Sequence, residues 1–458
     1  MPLRSIAFLL SFLGSSTAAF VVPVLGVLFY VALYHLYPES AWWGKPLRPL
    51  GIRYSFVCGL CLLIGTALNL NRLRFGQRFF HPVEWLLLAL FGCMFLSAAI
   101  LPEWNARTEE HMDKMSKVFL FTFLMSHVLV SRNHLWQFAV LLTAVSLYLG
   151  HEAKTAPPGA FTGSRLDGIG GPDFQESAGL AIHLFALLPF VAVVFRARKL
   201  WLKGLAFLAA CYSMNAILLC RARSAFLAAI VGGLMALWYI PRRHRRWVVV
   251  VLLLGTAGGI ILSDNWFWER MVTIFSSAEE RDASAASRLI IWQGALKMIR
   301  EYPWGVGVGR FRDMIGRYID DPSFAYRDAH NSFVICATEI GVPGLLAYTA
   351  VLAASWLTLS RLAQRVPRTM VNGDLFEMLI FANRLALIVY VVSGFFVSRF
   401  YVEGFWWFVA LPVCLQRAVE NEIRVEREEA FVLQARLNME MNPAPGWLMP
   451  PHLPTPAR

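Results

Sequence analysis

Charge is scarce in this chain. Only 16% of the 458 residues are Asp, Glu, Lys or Arg against 57% hydrophobic, and the mean hydropathy is +0.53. That is too little charge to clothe a water-soluble globule of this size, so an ordinary soluble enzyme is excluded. Cysteine is sparse as well and poorly placed for cross-linking. All seven (Cys58, Cys61, Cys93, Cys211, Cys220, Cys336, Cys414) fall inside or at the ends of apolar runs. This placement argues against a disulfide framework, and Cys58-Gly-Leu-Cys61 lacks a second ligand pair for a metal; small buried hydrophobes are expected. Long polar stretches are missing too, apart from one island between Ser263 and His330 and a short tail. No internal repeat stands out.

What is present instead is a succession of apolar runs, each near the roughly 20 residues that cross a hydrocarbon core about 30 Å thick. The cleanest are Ile52–Leu70, Pro82–Leu101, Lys117–Ser131, His134–Gly150, Ser177–Phe195, Trp201–Cys220, Ser224–Ile240 and Trp247–Leu262, then Ser332–Leu359, Leu375–Val397 and Gly404–Leu415. Ser5–Leu36 adds one long or two short helices, since Gly14, the small run Ser15–Ala19 and Pro23 interrupt it. Arg4, a short apolar run and Thr17-Ala18-Ala19 have the make-up of a signal peptide, but the next segment resumes at once as membrane. The expected fold is all-α: a polytopic transmembrane helix bundle of about 12 spans with one large, partly helical external loop. The organisation read from it is N-terminal membrane helices over 1–262, the loop over 263–330, C-terminal membrane helices over 331–417, and a cytoplasmic tail over 418–458. Within the tail Glu420–Met441 reads as a charged helix and Pro443–Pro456 as a proline-rich disordered stretch.

The formal net charge of +12 would suggest nucleic acid in a soluble protein, but its placement points elsewhere. Basic residues gather in short loops at Arg72, Arg74 and Arg78, at Arg196, Arg198 and Lys199, at Arg242, Arg243, Arg245 and Arg246, and at Arg361, Arg365 and Arg368. With alternating spans these loops share one side, which the positive-inside rule makes cytoplasmic, and the island falls outside. No nucleic-acid partner is expected; membrane lipids are. The island holds nine Lys or Arg and ten Asp or Glu, so any role for its arginines must come from position.

Within the island, Ser287 can cap a helix reaching Glu301, with Arg288 at its start and Leu289, Trp292, Leu296 and Ile299 on one face. Pro303 stops it, and Gly305, Gly307 and Gly309 follow in a turn that lacks the strand and the Lys-Ser/Thr of a phosphate loop. A backbone approach to phosphate stays open there. His330 stands before a helix that Asn331 or Ser332 can cap. The positive end of that helix disfavours a second proton, which suits a general base, although a lone boundary histidine is more often an interfacial residue. Arg221 and Arg223, in Cys220-Arg221-Ala222-Arg223-Ser224, lie at the outer edge against the charge rule, either as snorkelling anchors or as a diphosphate grip. Arg165 sits in an irregular external loop, His151–Glu176. Arg384, within an apolar run, should face protein or water and serves structure or substrate. Glu109, Glu110, His111 and Asp113, in the external stretch Glu103–Asp113, could ligate a metal, but a solvated connecting loop is expected.

Taken together, Ser287-Arg288, Trp292, Pro303, Gly305-Val306-Gly307, Ala329-His330-Asn331-Ser332-Phe333 and Glu339-Ile340-Gly341-Val342-Pro343-Gly344-Leu345-Leu346 resemble the signature of the O-antigen ligase and polymerase superfamily. Pro23-Val24-Leu25-Gly26-Val27-Leu28 with Tyr37-Pro38, and Gly394-Phe395-Phe396, resemble the O-glycosylation ligases found beside exosortase systems. The resemblance runs from about Pro23 to Leu415 and implies a glycosyltransferase of the bacterial inner membrane with its site facing the periplasm. Such an enzyme moves a glycan from an undecaprenyl-diphosphate-linked donor to a lipid, protein or glycan acceptor, with inversion and with neither metal nor cofactor. It implies His330 as the group that activates the acceptor, Arg288 and Arg223 near the diphosphate with Arg221 beside them, and Arg165 as the Arg of an Arg-Leu-x-Gly segment. Asn331, Glu339 and Arg384 are expected to support the site. Two departures stand out: Ala222 precedes Arg223 where Ser is common, and Gly170-Gly171-Pro172-Asp173-Phe174 replaces an Asn-rich sequence. A polysaccharide polymerase uses the same residues. A lipid-linked glycan transporter would place its charge and broken helices near the midplane, and Pro343-Gly344 suits either. A metal-dependent glycosyltransferase would rely on the Glu103–Asp113 acids.

Overall fold

Backbone N–H and C=O groups facing hydrocarbon can be satisfied only within a helix, and the apolar runs fold accordingly. The computed structural model describes residues 2–45, 51, 53–73, 79–100, 104–272, 283–370 and 373–441. The first half holds α1 (Leu3–Ala18), α2 (Pro23–Leu36), α3 (Tyr54–Leu68), the short α4 (Leu70–Leu73), α5 (Pro82–Ala99), α6 (Ala106–Val128) and α7 (Arg132–Lys154). A two-stranded hairpin, β1 (Phe161–Thr162) and β2 (Arg165–Leu166), precedes α8 (Ser177–Phe195), α9 (Leu200–Cys220), α10 (Arg223–Tyr239) and α11 (Arg245–Leu262). The island carries α12 (Asn265–Val272), α13 (Ala283–Glu301) and α14 (Phe311–Met314). The chain returns to the bundle as α15 (Ser332–Glu339), α16 (Gly341–Thr369), α17 (Asp374–Gly394) and α18 (Glu403–Met441). The Pro443–Pro456 stretch, Glu103, Arg74, Arg78 and positions 273–282 lie outside the described residues.

The expected all-α polytopic architecture is what forms. Among the described residues six helical segments are long and apolar enough to cross a membrane: Pro82–Ala99, Ser177–Phe195, Leu200–Cys220, Arg242–Leu262, Gly341–Pro367 and Asp374–Gly394. Leu3–Ala18, Pro23–Leu36, Tyr54–Leu68 and Arg223–Tyr239 are shorter apolar helices. The alternation of ends anticipated from the basic loops is also visible. Arg243 pairs with Asp374 at 2.6 Å and Arg196 meets His244 at 2.6 Å, which gathers the loops after α8, α10 and α16 at one basic end.

Several local expectations change. Ser5–Leu36 resolves into two helices, with Pro23 at the first turn of α2, where its missing N–H costs nothing. The acidic stretch up to Asp113 is helix rather than connecting loop from Ala106 onward. Asn105 starts α6 by accepting the Thr108 N–H at 2.8 Å, and the helix exposes Glu109 and Glu110 while His111 stacks on Tyr401 with ring centroids 4.0 Å apart. Among the described residues no three His, Cys, Asp or Glu side chains converge as metal ligands, and all seven cysteines are free thiols. Helix α13 begins at Ala283, so Ser287 is a buried interior residue rather than a cap. Its packed face is Ile291, Ala295 and Met298, while Leu289 and Leu296 point outward. The span expected from Ser332 to Leu359 is broken at Ile340–Gly341. At the other end, α18 runs unbroken from Glu403 to Met441 through the composition change near 418.

The break between α15 and α16 is built by the glycine turn. Val306 and Gly307 donate to the carbonyls of Thr338 and Glu339 at 2.9 and 3.0 Å, and Val342 donates to Pro303 O at 2.8 Å. The Glu339 carboxylate accepts the N–H groups of Gly309 and Phe311 at 2.9 and 3.1 Å and the hydroxyl of Tyr401. A Cβ on Gly305 would stand 2.4 Å from Glu339 O, and one on Gly341 2.4 Å from Trp304 C; both glycines also have positive φ. The turn is therefore a staple between the island and the bundle. Its amides are occupied by protein, which removes the phosphate-cradle reading.

Candidate active site

The end opposite the basic loops is organised by three helix N-termini. Ser177 N of α8 donates to Asp167 at 2.7 Å, Glu403 N of α18 donates to Asp173 at 3.1 Å, and Asn331 caps α15 by accepting from Phe333 and Val334 at 2.9 and 3.1 Å. Each terminus, partly positive, meets a carboxylate or amide oxygen. Asp173, in the segment that departs from the superfamily pattern, is the hub. Its carboxylate also takes Lys114 and the Tyr34 hydroxyl, the latter at 2.7 Å.

The island packs over these termini on a small core of its own, in which Ile291, Ala295, Val306, Phe311, Ala329 and Ile335 are buried together. Trp292 Nε1 donates to Ala329 O at 2.8 Å and so fastens α13 to the loop that presents His330. Asp328 fixes that loop. Its Oδ1 accepts the His330 backbone N–H at 3.1 Å and the Ser398 hydroxyl at 2.7 Å, and its Oδ2 accepts Arg312 at 2.8 Å. Burial would raise the Asp328 pKa, but Ser398 and Arg312 outweigh it and hold the group below the ordinary carboxylate value. With its backbone N–H taken this way, His330 adopts φ +46°, a left-handed conformation that a non-glycine residue holds only when its surroundings impose it.

Burial lowers the His330 pKa. Asp328 and Glu176 act against that shift while Arg288 and Arg312 reinforce it, and the ring is kept neutral near pH 7. Within the described residues the ring makes no hydrogen bond of its own, so both nitrogens can meet a substrate. Arg288, half-buried on α13, is disfavoured as a cation first by burial and then by Arg223 at the first turn of α10. His330, Arg288 and Arg223 thus come together from the loop before α15, from α13 and from α10. A base and two guanidiniums in one place can take a proton from a hydroxyl and receive an anionic leaving group.

The remaining candidates fall around this centre in different ways. Arg221 is buried in a left-handed turn (φ +44°) and clasps Ser164 O and the Asp264 carboxylate, so it latches the β1–β2 hairpin and the start of the island to α9. Arg165 is on that hairpin, opposite Thr162 and half-buried. Asn331 is the α15 cap, and Glu339 is the turn staple. Arg384 is elsewhere: it lies ten residues before the end of α17, between the rings of Tyr239 and Trp356 at 5.1 and 5.5 Å, and contacts Leu359 O at 3.4 Å. Sequence reasoning missed Asp328, Arg312, Glu176, Ser398 and Arg399. Of these, Asp328 could have been found, because an Asp two residues before a candidate is the spacing of an Asx turn.

Residues 208–349 match the family model for O-antigen ligase. The segment runs from the middle of α9 into the start of α16 and takes in Arg221, Arg223, Arg288 and His330. Over that segment the chain is similar to the O-antigen ligase superfamily, which supports a membrane glycosyltransferase-like function of the ligase or polymerase kind. No curated protein matches the chain.

Proposed function

We propose that the chain is an O-antigen ligase-like glycosyltransferase that moves a glycan from undecaprenyl diphosphate to an acceptor hydroxyl on the periplasmic face of the bacterial inner membrane. The observation that carries this reading is the meeting of a neutral, half-buried His330 with the Arg288–Arg223 pair. In the reaction a ring nitrogen of His330 takes the acceptor's proton while the acceptor oxygen attacks the anomeric carbon. The bond from that carbon to the diphosphate oxygen breaks, and the electron pair leaves with the diphosphate. Attack from the opposite face inverts the anomeric centre. Arg288 and Arg223 stabilise the growing negative charge, with Arg165 on the hairpin as a further cation and Arg221, neutralised by Asp264, holding that hairpin in place rather than meeting the diphosphate; no metal is required for that charge.

An apolar groove of about 450 Å³ between α10, α16 and α17 supports a lipid-linked donor. It starts two turns into α10 from Arg223, at Val231, and is lined further by Met235, Leu352, Ile388 and Val392, which suits an isoprenoid chain whose head group stays at Arg223. Arg384, beside the groove's Tyr239 and Trp356, then supports its far end rather than the diphosphate. The finer likeness to exosortase-associated ligases belongs to this proposal as well. A polymerase, in which the acceptor is another lipid-linked repeat unit, is the second reading, favoured by the same residues.

The test is transfer by purified protein from a lipid diphosphate glycan to candidate acceptors, wild type against His330→Ala. Loss of at least ~10² in turnover is expected, with equal expression, an unchanged melting temperature and no effect of chelator on the wild type. Unchanged transfer by the variant would sink the mechanism.

A further inference from the structure

The tripeptide Val397-Ser398-Arg399, in the corner between α17 and α18, grips the His330 loop on both sides. Ser398 donates to Asp328, two residues before His330; on the other side Ser332 donates to Val397 O at 3.2 Å and accepts the Arg399 backbone N–H at 2.8 Å. The buried guanidinium of Arg399 then reaches back to α8, with Nη1 on Asp173 O at 3.3 Å and Nη2 on Glu176 Oε2 at 3.1 Å. Gly179 makes room for it, since a Cβ there would lie 2.6 Å from Nη1. A cation against a helix N-terminus is unfavourable, so this placement has to be held by the acid at the cap position, Glu176.

Two carboxylates act on the charge of His330, and they are not equivalent. Asp328 is committed: its two oxygens serve the His330 backbone, Ser398 and Arg312. Glu176 spends one oxygen on Arg399, keeps a side chain 68% exposed, and makes no capping bond to α8. We propose that Glu176, held by Arg399, is the carboxylate that turns to the His330 imidazole and pairs with it while it carries the acceptor's proton. The inference rests on the proposed transfer reaction. In that step one ring nitrogen receives the proton from the acceptor hydroxyl, and the other N–H donates to Glu176 Oε1. The proton returns to solvent from the imidazolium after the diphosphate has left. The charged groups around the ring are Asp328 from its own loop, Arg288 from α13, Glu176 from the α8 cap and Arg312 from α14; the two cations oppose the imidazolium and both carboxylates favour it, but the Asp328 oxygens already serve Ser398, Arg312 and the His330 backbone, so Glu176 is the one able to turn to the ring.

The experiment compares full-length wild type, Glu176→Gln, Glu176→Asp, Arg399→Lys and His330→Ala in detergent with a lipid diphosphate glycan donor, recording kcat, donor KM and pH profile. Glu176→Gln is expected to lower kcat roughly ten- to a hundredfold with donor KM unchanged. Removing the anion should also move the acid limb of the profile to lower pH. Glu176→Asp should recover part of the rate, and Arg399→Lys should lower kcat in the same sense. A Glu176→Gln enzyme with the wild-type kcat and acid limb overturns the pairing; so does a lower kcat with an unmoved acid limb, which is what a merely structural role gives. Should His330→Ala retain transfer, the proposed reaction itself falls; should it be inactive while Glu176→Gln behaves as wild type, only the pairing falls.

Discussion

Two arginine sites at opposite ends of the bundle, one buried and one half-buried, are handled in opposite ways. At the basic end Arg417 of α18 meets Glu84 of α5 through two bonds of 2.9 Å and also donates to Ser126 O and Phe79 O at 3.0 and 2.9 Å. That guanidinium is neutralised by a carboxylate and ties α5, α6 and α18 together. At the other end Arg288 has another cation, Arg223, as its strongest charged neighbour, and no carboxylate among the described residues pairs with it. A charge kept for architecture is matched with its opposite; a charge kept beside its like makes sense when an anion arrives from outside.

The comparison can be broken by substitution. The largest effect is expected from Arg417→Met, which leaves the buried Glu84 carboxylate without its counter-charge, held only by Ser126, His127 and the His81 N–H, and should cost about 3–5 kcal/mol of stability, read as a lower melting temperature, with turnover per folded molecule retained. Arg288→Ala should do the reverse, costing roughly 3 kcal/mol of transition-state stabilisation in kcat while leaving the melting temperature unchanged or slightly raised. Asp328→Ala tests the clamp behind His330 and should cost about 1.5–3 kcal/mol in stability, measured by denaturant titration. Because the Asp328 pKa is depressed, that contribution is fully present at neutral pH and is lost only as pH falls through the lowered value. The smallest effect is expected from Asn331→Ala, about 1 kcal/mol for a lost α15 cap, measured the same way.

Most of the helices could be read from the sequence because each apolar run is close to one span, and the basic loops declared their common end by charge alone. The start of α6 could not, because Glu109, Glu110 and Asp113 hide a helix whose signal is a single capping residue, Asn105. The α15–α16 break escaped for a related reason: Glu339-Ile340-Gly341 lies in an apolar run, and the break exists only because the Gly305–Gly309 turn docks there. His330, Arg288 and Arg223 were found as motif residues. Their surroundings were not, since Arg399 meets Asp173 across 226 positions and Ser398 meets Asp328 across 70. Pairings of that kind leave no local periodicity or spacing to read.

In the proposed reaction a neutral His330 takes the acceptor's proton beside Arg288 and Arg223. The pH profile of glycan transfer, recorded for wild type and His330→Ala, tests it most directly. Since burial lowers the His330 pKa, the wild-type rate should rise with pH through one group below the ordinary histidine value of 6.5 and be level by neutral pH, and the variant should lose that limb with its activity. A variant that kept the same acid limb and a comparable rate would contradict the account.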